Sequence, residues 1–278
     1  MKALFDQYSV KASKMVTKSY STSFYAGVRF LDPSIRDDIH AIYGFVRFAD
    51  EIVDSFHGYE KRHLLEEFRR DTFIAIERGI SLNPILNSFQ FTVNKYEINH
   101  ELIETFLQSM EMDLGDIEYD QSTYEKYILG SAEVVGLMCL KVFVYGNQEQ
   151  YERLKPYAMK LGSAFQKINF LRDLKDDVGE LGRLYFPNIG DEGLTPETKI
   201  AIEKEIEEEF REAYVGILLL PKSSRFGVYV SYVYYTKLLA KIKRKTIAEL
   251  MDKRIRVPNN RKFILFFKSY MKNSMNLL

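Results

Sequence analysis

The absences in this chain exclude several classes of protein before any motif is considered. With one cysteine, Cys139, no disulfide can form within the chain, and its setting in GLMCLKVFVYG reads as a small apolar core residue rather than a nucleophile. The four histidines, His40, His57, His63 and His100, lack metal-ligand spacing. Neither GxGxxG nor a P-loop occurs, so nicotinamide and ATP sites draw no support and NADPH is not expected. The formal net charge is zero, without the global basic excess of a nucleic-acid binder, so any anion site must be local. No run approaches the ~20 apolar residues of a membrane span, and the opening MKALFDQYSVKASK has no uninterrupted apolar stretch. A cytoplasmic protein is expected, with a membrane-surface patch in residues 261–275 as an alternative to a closing core helix there. No Gly/Ser/Pro-rich linker divides the chain, which reads as a single domain, 1–278.

With only seven prolines and little strand-like alternation, the apolar spacing predicts an all-α fold. Apolar residues make up 46% and charged residues 28%, a balance suited to a large core. The organising stretch is LGSAFQKINFLRDLKDD, residues 161–177. At ~100° per residue, Gln166, Asn169, Asp173 and Asp177 share about a quarter of the helix circumference, among Leu161, Phe165, Ile168, Phe170, Leu171 and Leu174. Carboxylates four residues apart repel, and buried ones need a cation or several donors, so a divalent metal is the economical partner. AIYGFVRFADEIVDS repeats the design, with Tyr43, Arg47, Asp50 and Asp54 on one face of another apolar helix. Two such helices facing each other present two carboxylate pairs across a cavity, with Arg47 and Arg172 near its rims.

These seams resemble the aspartate-rich motifs of the squalene/phytoene synthases, which join two prenyl diphosphates head to head. The first runs from Arg47 to Asp54; the second runs from Gln166 to Asp177 and is followed by Gly182, Arg183, Tyr185 and Pro187 in the family's G-R-x-Y-x-P ending. The two motifs stand in family order about 120 residues apart. The resemblance covers nearly the whole chain and implies a helical bundle around a central cavity. It implies Mg2+, or Mn2+, held by Asp50, Asp54, Asn169, Asp173 and Asp177, with Arg47, Arg172 and Tyr235 joining the aspartates in catalysis.

Substrate contacts implied by the resemblance fall on several segments. Ser21, Ser23 and Phe24 match a diphosphate-binding Ser-x-Ser-Phe, for which the plain reading is N-capping of the next helix. Tyr127, Gly130, Ala132, Val135 and Gly136 match a small-residue segment lining the prenyl cavity. Tyr43, Gln166, Asn169 and Arg183 lie on the motif segments, and Arg256, with Arg254 as its near alternative, matches a diphosphate-contacting arginine. Lys175 and Asp176 replace the glycine and glutamate usual in relatives.

Helices are predicted over 3–18, from Asp32-Pro33 to before Gly58, over 60–78, from Asn83-Pro84 to about Tyr96, and over 100–115. Another is predicted from a cap at Ser122-Thr123 to Phe143, then 151–178, one starting at Thr195-Pro196, and one beyond Pro221. Leu102, Phe106, Leu107 and Met110 read as core, and the acidic run EKEIEEEFRE as a solvated face. The implied reaction passes through a cyclopropylcarbinyl diphosphate. Two geranylgeranyl diphosphates giving phytoene in carotenoid biosynthesis is the expectation, with dehydrosqualene or squalene from farnesyl diphosphate, or a non-catalytic helical assembly factor, as alternatives. Chain length and oligomeric state are not encoded in these patterns.

Overall fold

Turn residues punctuate the chain where caps are needed, and nearly everything between them is helix. The computed structural model describes residues 1–115, 119–179, 183, 185–187 and 193–255, and no strand occurs among them. The helices are α1 (Lys2–Tyr20), α2 (Thr22–Val28), α3 (Pro33–Ser55), α4 (Lys61–Arg78), α5 (Pro84–Tyr96), α6 (His100–Met112) and α7 (Gln121–Ile128). A π-helical turn (Leu129–Glu133) leads into α8 (Val134–Phe143), then α9 (Gln148–Gly179), α10 (Pro196–Leu219), α11 (Lys222–Ile242) and α12 (Ile247–Asp252). Arg256 and the segment 261–275 lie outside the described residues, as do Gly182 and Leu184.

Three starts combine an N-cap side chain with proline at the first helical position. The Asp32 carboxylate accepts from Ser34 N, the Asn83 amide oxygen from Ile85 N, and Thr195 forms a capping box with Thr198. The cap before α7 differs from expectation. Asp120, not Ser122 or Thr123, accepts from Thr123 N, because its side chain stands at the non-helical position where the first free N–H groups point.

The predicted continuous helix to Phe143 is broken by the π turn, and backbone packing explains why. A Cβ on Gly130 would come within 2.5 Å of the Ser109 Cβ and 2.8 Å of the Thr105 carbonyl oxygen on α6, so that helix leaves room only for glycine. On the other side, Gly162 of α9 lets the Ala132 carbonyl oxygen approach to 2.8 Å of its would-be Cβ. The π turn is thus wedged between α6 and α9.

One core gathers around Phe45 of α3, which stacks on Phe89 of α5 at 4.0 Å between ring centroids, with Phe68 at 5.5 Å and Phe106 at 5.4 Å. Phe106, Leu107 and Met110 of α6 are buried there, as the core reading expects. A second core surrounds α9, where Phe170 stacks on Tyr185 at 4.2 Å. The acidic run of α10 is not a fully solvated face. Glu203 and Glu209 are buried, Glu203 paired with Lys199, and Glu209 with Lys167 of α9 at 2.8 Å. Those lysines neutralise carboxylates that the sequence pattern alone assigns to water. Between the cores, α3 and α9 flank an apolar cavity of about 300 Å³.

Candidate active site

Helix α3 carries Tyr43, Arg47, Asp50 and Asp54 along one face because the offsets of four, three and four follow the helical period. Arg47 donates to Asp50 and Glu51 and lies 4.4 Å from the centroid of the Tyr20 ring. On α9, Asp173 accepts from Arg172 Nε at 2.8 Å and Nη2 at 2.5 Å. Arg254 Nε adds a contact to the same carboxylate at 2.8 Å. Asn169 donates to Gln166 at 3.3 Å and accepts from the Tyr235 hydroxyl at 3.3 Å, while Tyr235 stacks on Phe165 at 4.0 Å.

Arg183 joins the two seams. Its Nη1 donates to Asp54 at 2.9 Å, its Nη2 to the Asp113 carbonyl oxygen at 2.7 Å, and its backbone N–H to the Asp177 carbonyl oxygen at 2.8 Å. The Asp113 carboxylate accepts from the hydroxyls of Tyr127 at 2.8 Å and Tyr185 at 3.3 Å, and lies 3.6 Å from Arg183 Nη1. Burial pushes Asp113 up to about 7. Burial first, and then the Asp54 charge, raises Asp50 to about 6; burial, then Asp173 and Asp54, raises Asp177 to about 8. The carboxylates of the two helices therefore feel each other across one gap. Asp113 escapes sequence reasoning because its partners Tyr127, Tyr185 and Arg183 meet it only in the folded chain.

This acidic, arginine-rimmed gap opens onto the cavity. Phe24, Tyr43, Gln166, Asn169 and Tyr235 border it, and Ala132, Val135 and Gly136 form part of its wall. Phe24 stacks on Tyr43 at 4.8 Å. Cys139 also faces the cavity, and burial pushes its thiol up to about 12, so it is an apolar wall residue rather than a nucleophile. Two residues assigned to the lining are placed elsewhere. Gly130 is buried against Ser109 of α6, and Tyr127 turns its hydroxyl to Asp113 inside the second core. Ser21 is the single non-helical residue between α1 and α2, and its hydroxyl accepts from Phe24 N at 3.2 Å, which is the capping role. Ser23 lies in the first turn of α2, half-buried.

The donors of the two seams are all oxygen. Among the described residues, no three Asp, Glu, His or Cys side chains converge into a closed metal cage. Open pairs of carboxylates fit a hard cation that takes one or two carboxylates and completes its octahedron with phosphate oxygens and water. Among the described residues no helix is long and apolar enough to cross a membrane.

The squalene/phytoene synthase family profile matches residues 17–198. The chain is 33% identical over 169 residues to presqualene diphosphate synthase of Rhodopseudomonas palustris, covering 60% of this chain and 58% of that protein. It is 30% identical over 197 residues to phytoene synthase of Pseudescherichia vulneris, covering 66% and 62%. The matched region thus spans less than two thirds of each relative. A solved dehydrosqualene synthase superposes with a TM-score of 0.82 at 23% identity, covering 96% of this chain and 98% of that one, a likeness of fold. With a profile match across more than half its length, and both motif helices at the mouth of one cavity, this chain belongs to the squalene/phytoene synthase family.

Proposed function

We propose that this protein is a prenyltransferase that condenses two geranylgeranyl diphosphates head to head, through a cyclopropylcarbinyl diphosphate, to give phytoene. The observation that carries the reading is the meeting of two aspartate seams, bridged by Arg183, at one end of an apolar cavity. Asp50, Asp54, Asp173, Asp177 and Asn169 would hold magnesium, which would supply electrostatic stabilisation of the departing diphosphate. Arg47, Arg172 and Arg254 add fixed positive charge at the same end, where charge develops on the leaving group. The apolar wall excludes water from a carbocation, and the faces of Phe24, Tyr43, Phe165 and Tyr235 favour positive charge nearby.

The cavity wall is long enough for a C20 donor and equally for a C15 one. The α9 wall runs from Asn169 to Leu154, about 22 Å at the helical rise. The sixteen-carbon backbone of a geranylgeranyl chain extends roughly 19 Å, and the twelve carbons of a farnesyl chain roughly 14 Å. The relatives named presqualene diphosphate synthase favour a second reading, a C15 donor with release at the cyclopropyl stage. Incubation with farnesyl or geranylgeranyl diphosphate separately, with magnesium and with or without NADPH, tests both. Phytoene from the C20 donor without NADPH is expected. Product from the C15 donor alone overturns the choice of substrate, and no product from either overturns the enzymatic reading.

A further inference from the structure

Helix α1 is built inside out. Its Ser9, Ser13 and Thr17 recur every fourth residue and are fully buried. Ser13 meets Ser88 of α5 at 2.5 Å, Asn87 of α5 donates to Ser9 at 3.1 Å, and Thr17 meets His40 of α3 at 3.0 Å. The opposite face holds Leu4, Tyr8 and Met15, which are 70%, 60% and 65% exposed. At ~100° per residue these three fall within about 40° of one another. Lys11 and Lys18 lie along one edge of that stripe with Lys14 beyond them, all exposed and without an ion pair among the described residues. The one acid of α1, Asp6, is bound by Lys2 at 2.8 Å. Helix α5, against which α1 packs, contains no Asp or Glu and exposes Phe91 at 59%.

Single exposed apolar residues need no explanation. A stripe of them edged by unpaired lysines does, in a chain whose net charge is zero. We propose that the outer face of α1 rests on an anionic phospholipid bilayer, with α1 lying in the plane of the interface. Charge complementarity selects the partner: three unpaired lysines line one side of the stripe, and lysine stems cover apolar surface while their ammonium groups reach phosphate. The stripe runs about 16 Å from Leu4 to Met15, a narrow contact suited to a fluid surface rather than to a shaped pocket. The C-terminal end of α1 leads into Ser21, and Tyr20 packs on Arg47, so the membrane-facing helix adjoins the polar end of the cavity. The prenyl-lipid reading given above would supply a purpose for this contact, but the contact does not depend on it.

The test is co-sedimentation of the full chain with vesicles of phosphatidylcholine, with and without roughly one third phosphatidylglycerol. Binding to the anionic vesicles only, weakened by high salt, is expected. At roughly fivefold in partitioning per lysine, the triple change Lys11→Gln, Lys14→Gln and Lys18→Gln should weaken binding at least tenfold. Leu4→Gln, Tyr8→Gln and Met15→Gln together should also weaken it at least tenfold. Both sets sit on exposed positions, so melting temperature and turnover of detergent-dispersed substrate should stay unchanged, which separates this contact from catalysis. Absence of binding to anionic vesicles overturns the proposal, as does binding that neither set alters. Binding that only the lysine changes abolish, and that heparin reproduces, also overturns it.

Discussion

Asp50 and Asp173 each face a guanidinium from their own helix, Arg47 and Arg172, so part of their charge is balanced before substrate arrives. Asp50→Ala or Asp173→Ala should abolish turnover while the far-ultraviolet circular dichroism stays close to wild type, because the like-charge repulsion relieved within each seam offsets part of the ion pair lost with Arg47 or Arg172. Near-normal rates in either variant would exclude the seams from catalysis. The two diphosphates should be separable by kinetics. An interaction with the leaving group counts more in the transition state than in the ground state, so Asp54→Asn should act mainly on kcat; the double change Ser21→Ala with Ser23→Ala should act mainly on KM. Because Ser21 also caps α2, the double variant should lose about 1 kcal/mol in urea unfolding. Equal kcat losses in the two variants would sink this division. A further residue, His40, sets a pH dependence of stability. Burial first, then the charges of Lys14 and Arg36, lowers it from 6.5 to about 4. Between those values the unfolded chain binds a proton that the folded chain does not, so stability falls as pH drops through this window, by at most roughly 3 kcal/mol. In His40→Asn the difference in unfolding free energy between neutral and mildly acidic solution should shrink accordingly; an unchanged difference would assign the effect to other groups.

Between elements, the contact of α9 with α10 turns on Lys167. Its ammonium meets Glu209 at 2.8 Å and Glu205 at 2.5 Å, and Ser163 donates to Glu209 at 2.8 Å. Lys167→Met should cost about 3 kcal/mol in chemical denaturation, because buried Glu209 keeps only Ser163 at 2.8 Å and the more distant Lys160 at 4.0 Å, whereas the double change Lys167→Met with Glu209→Leu should recover most of that loss. If the double variant is as unstable as the single one, packing rather than charge governs this interface. The same pair shows where sequence patterns stop being legible. Helix starts were readable at Asp32-Pro33, Asn83-Pro84 and Thr195-Pro196 because cap and proline are local signals. The pairing of Lys199 with Glu203 lies within one helix and obeys its period, but Glu209 finds Lys167 on another helix, so a run of acids looks solvated until the helices are assembled. The π turn was hidden for a similar reason: Gly130 signals close packing, but only the approach of α6 decides what the backbone does there.

At the scale of the molecule, the two seams were legible because each is written along a single helix, and α3 and α9 bring those faces together. The Arg183 bridge, the placement of Asp113, and the departure of Tyr127 and Gly130 from the cavity wall depend on residues that meet only in three dimensions. So does the cavity, whose walls come from α2, α3, the π turn, α8, α9, α10 and α11. That cavity has a mechanical consequence. A folded chain lining about 300 Å³ of apolar space gives up, on unfolding, whatever part of that volume stays dry, and pressure favours whichever state occupies less. The protein should therefore be soft under hydrostatic compression, and a non-hydrolysable C20 diphosphate filling the space should raise its midpoint pressure of unfolding as well as its melting temperature. High-pressure tyrosine fluorescence with and without the analogue would register the difference, and an unchanged midpoint pressure would mean that the prenyl chain lies elsewhere. On the reading proposed above, the hollow that would take the prenyl chain is also where the described fold yields to compression.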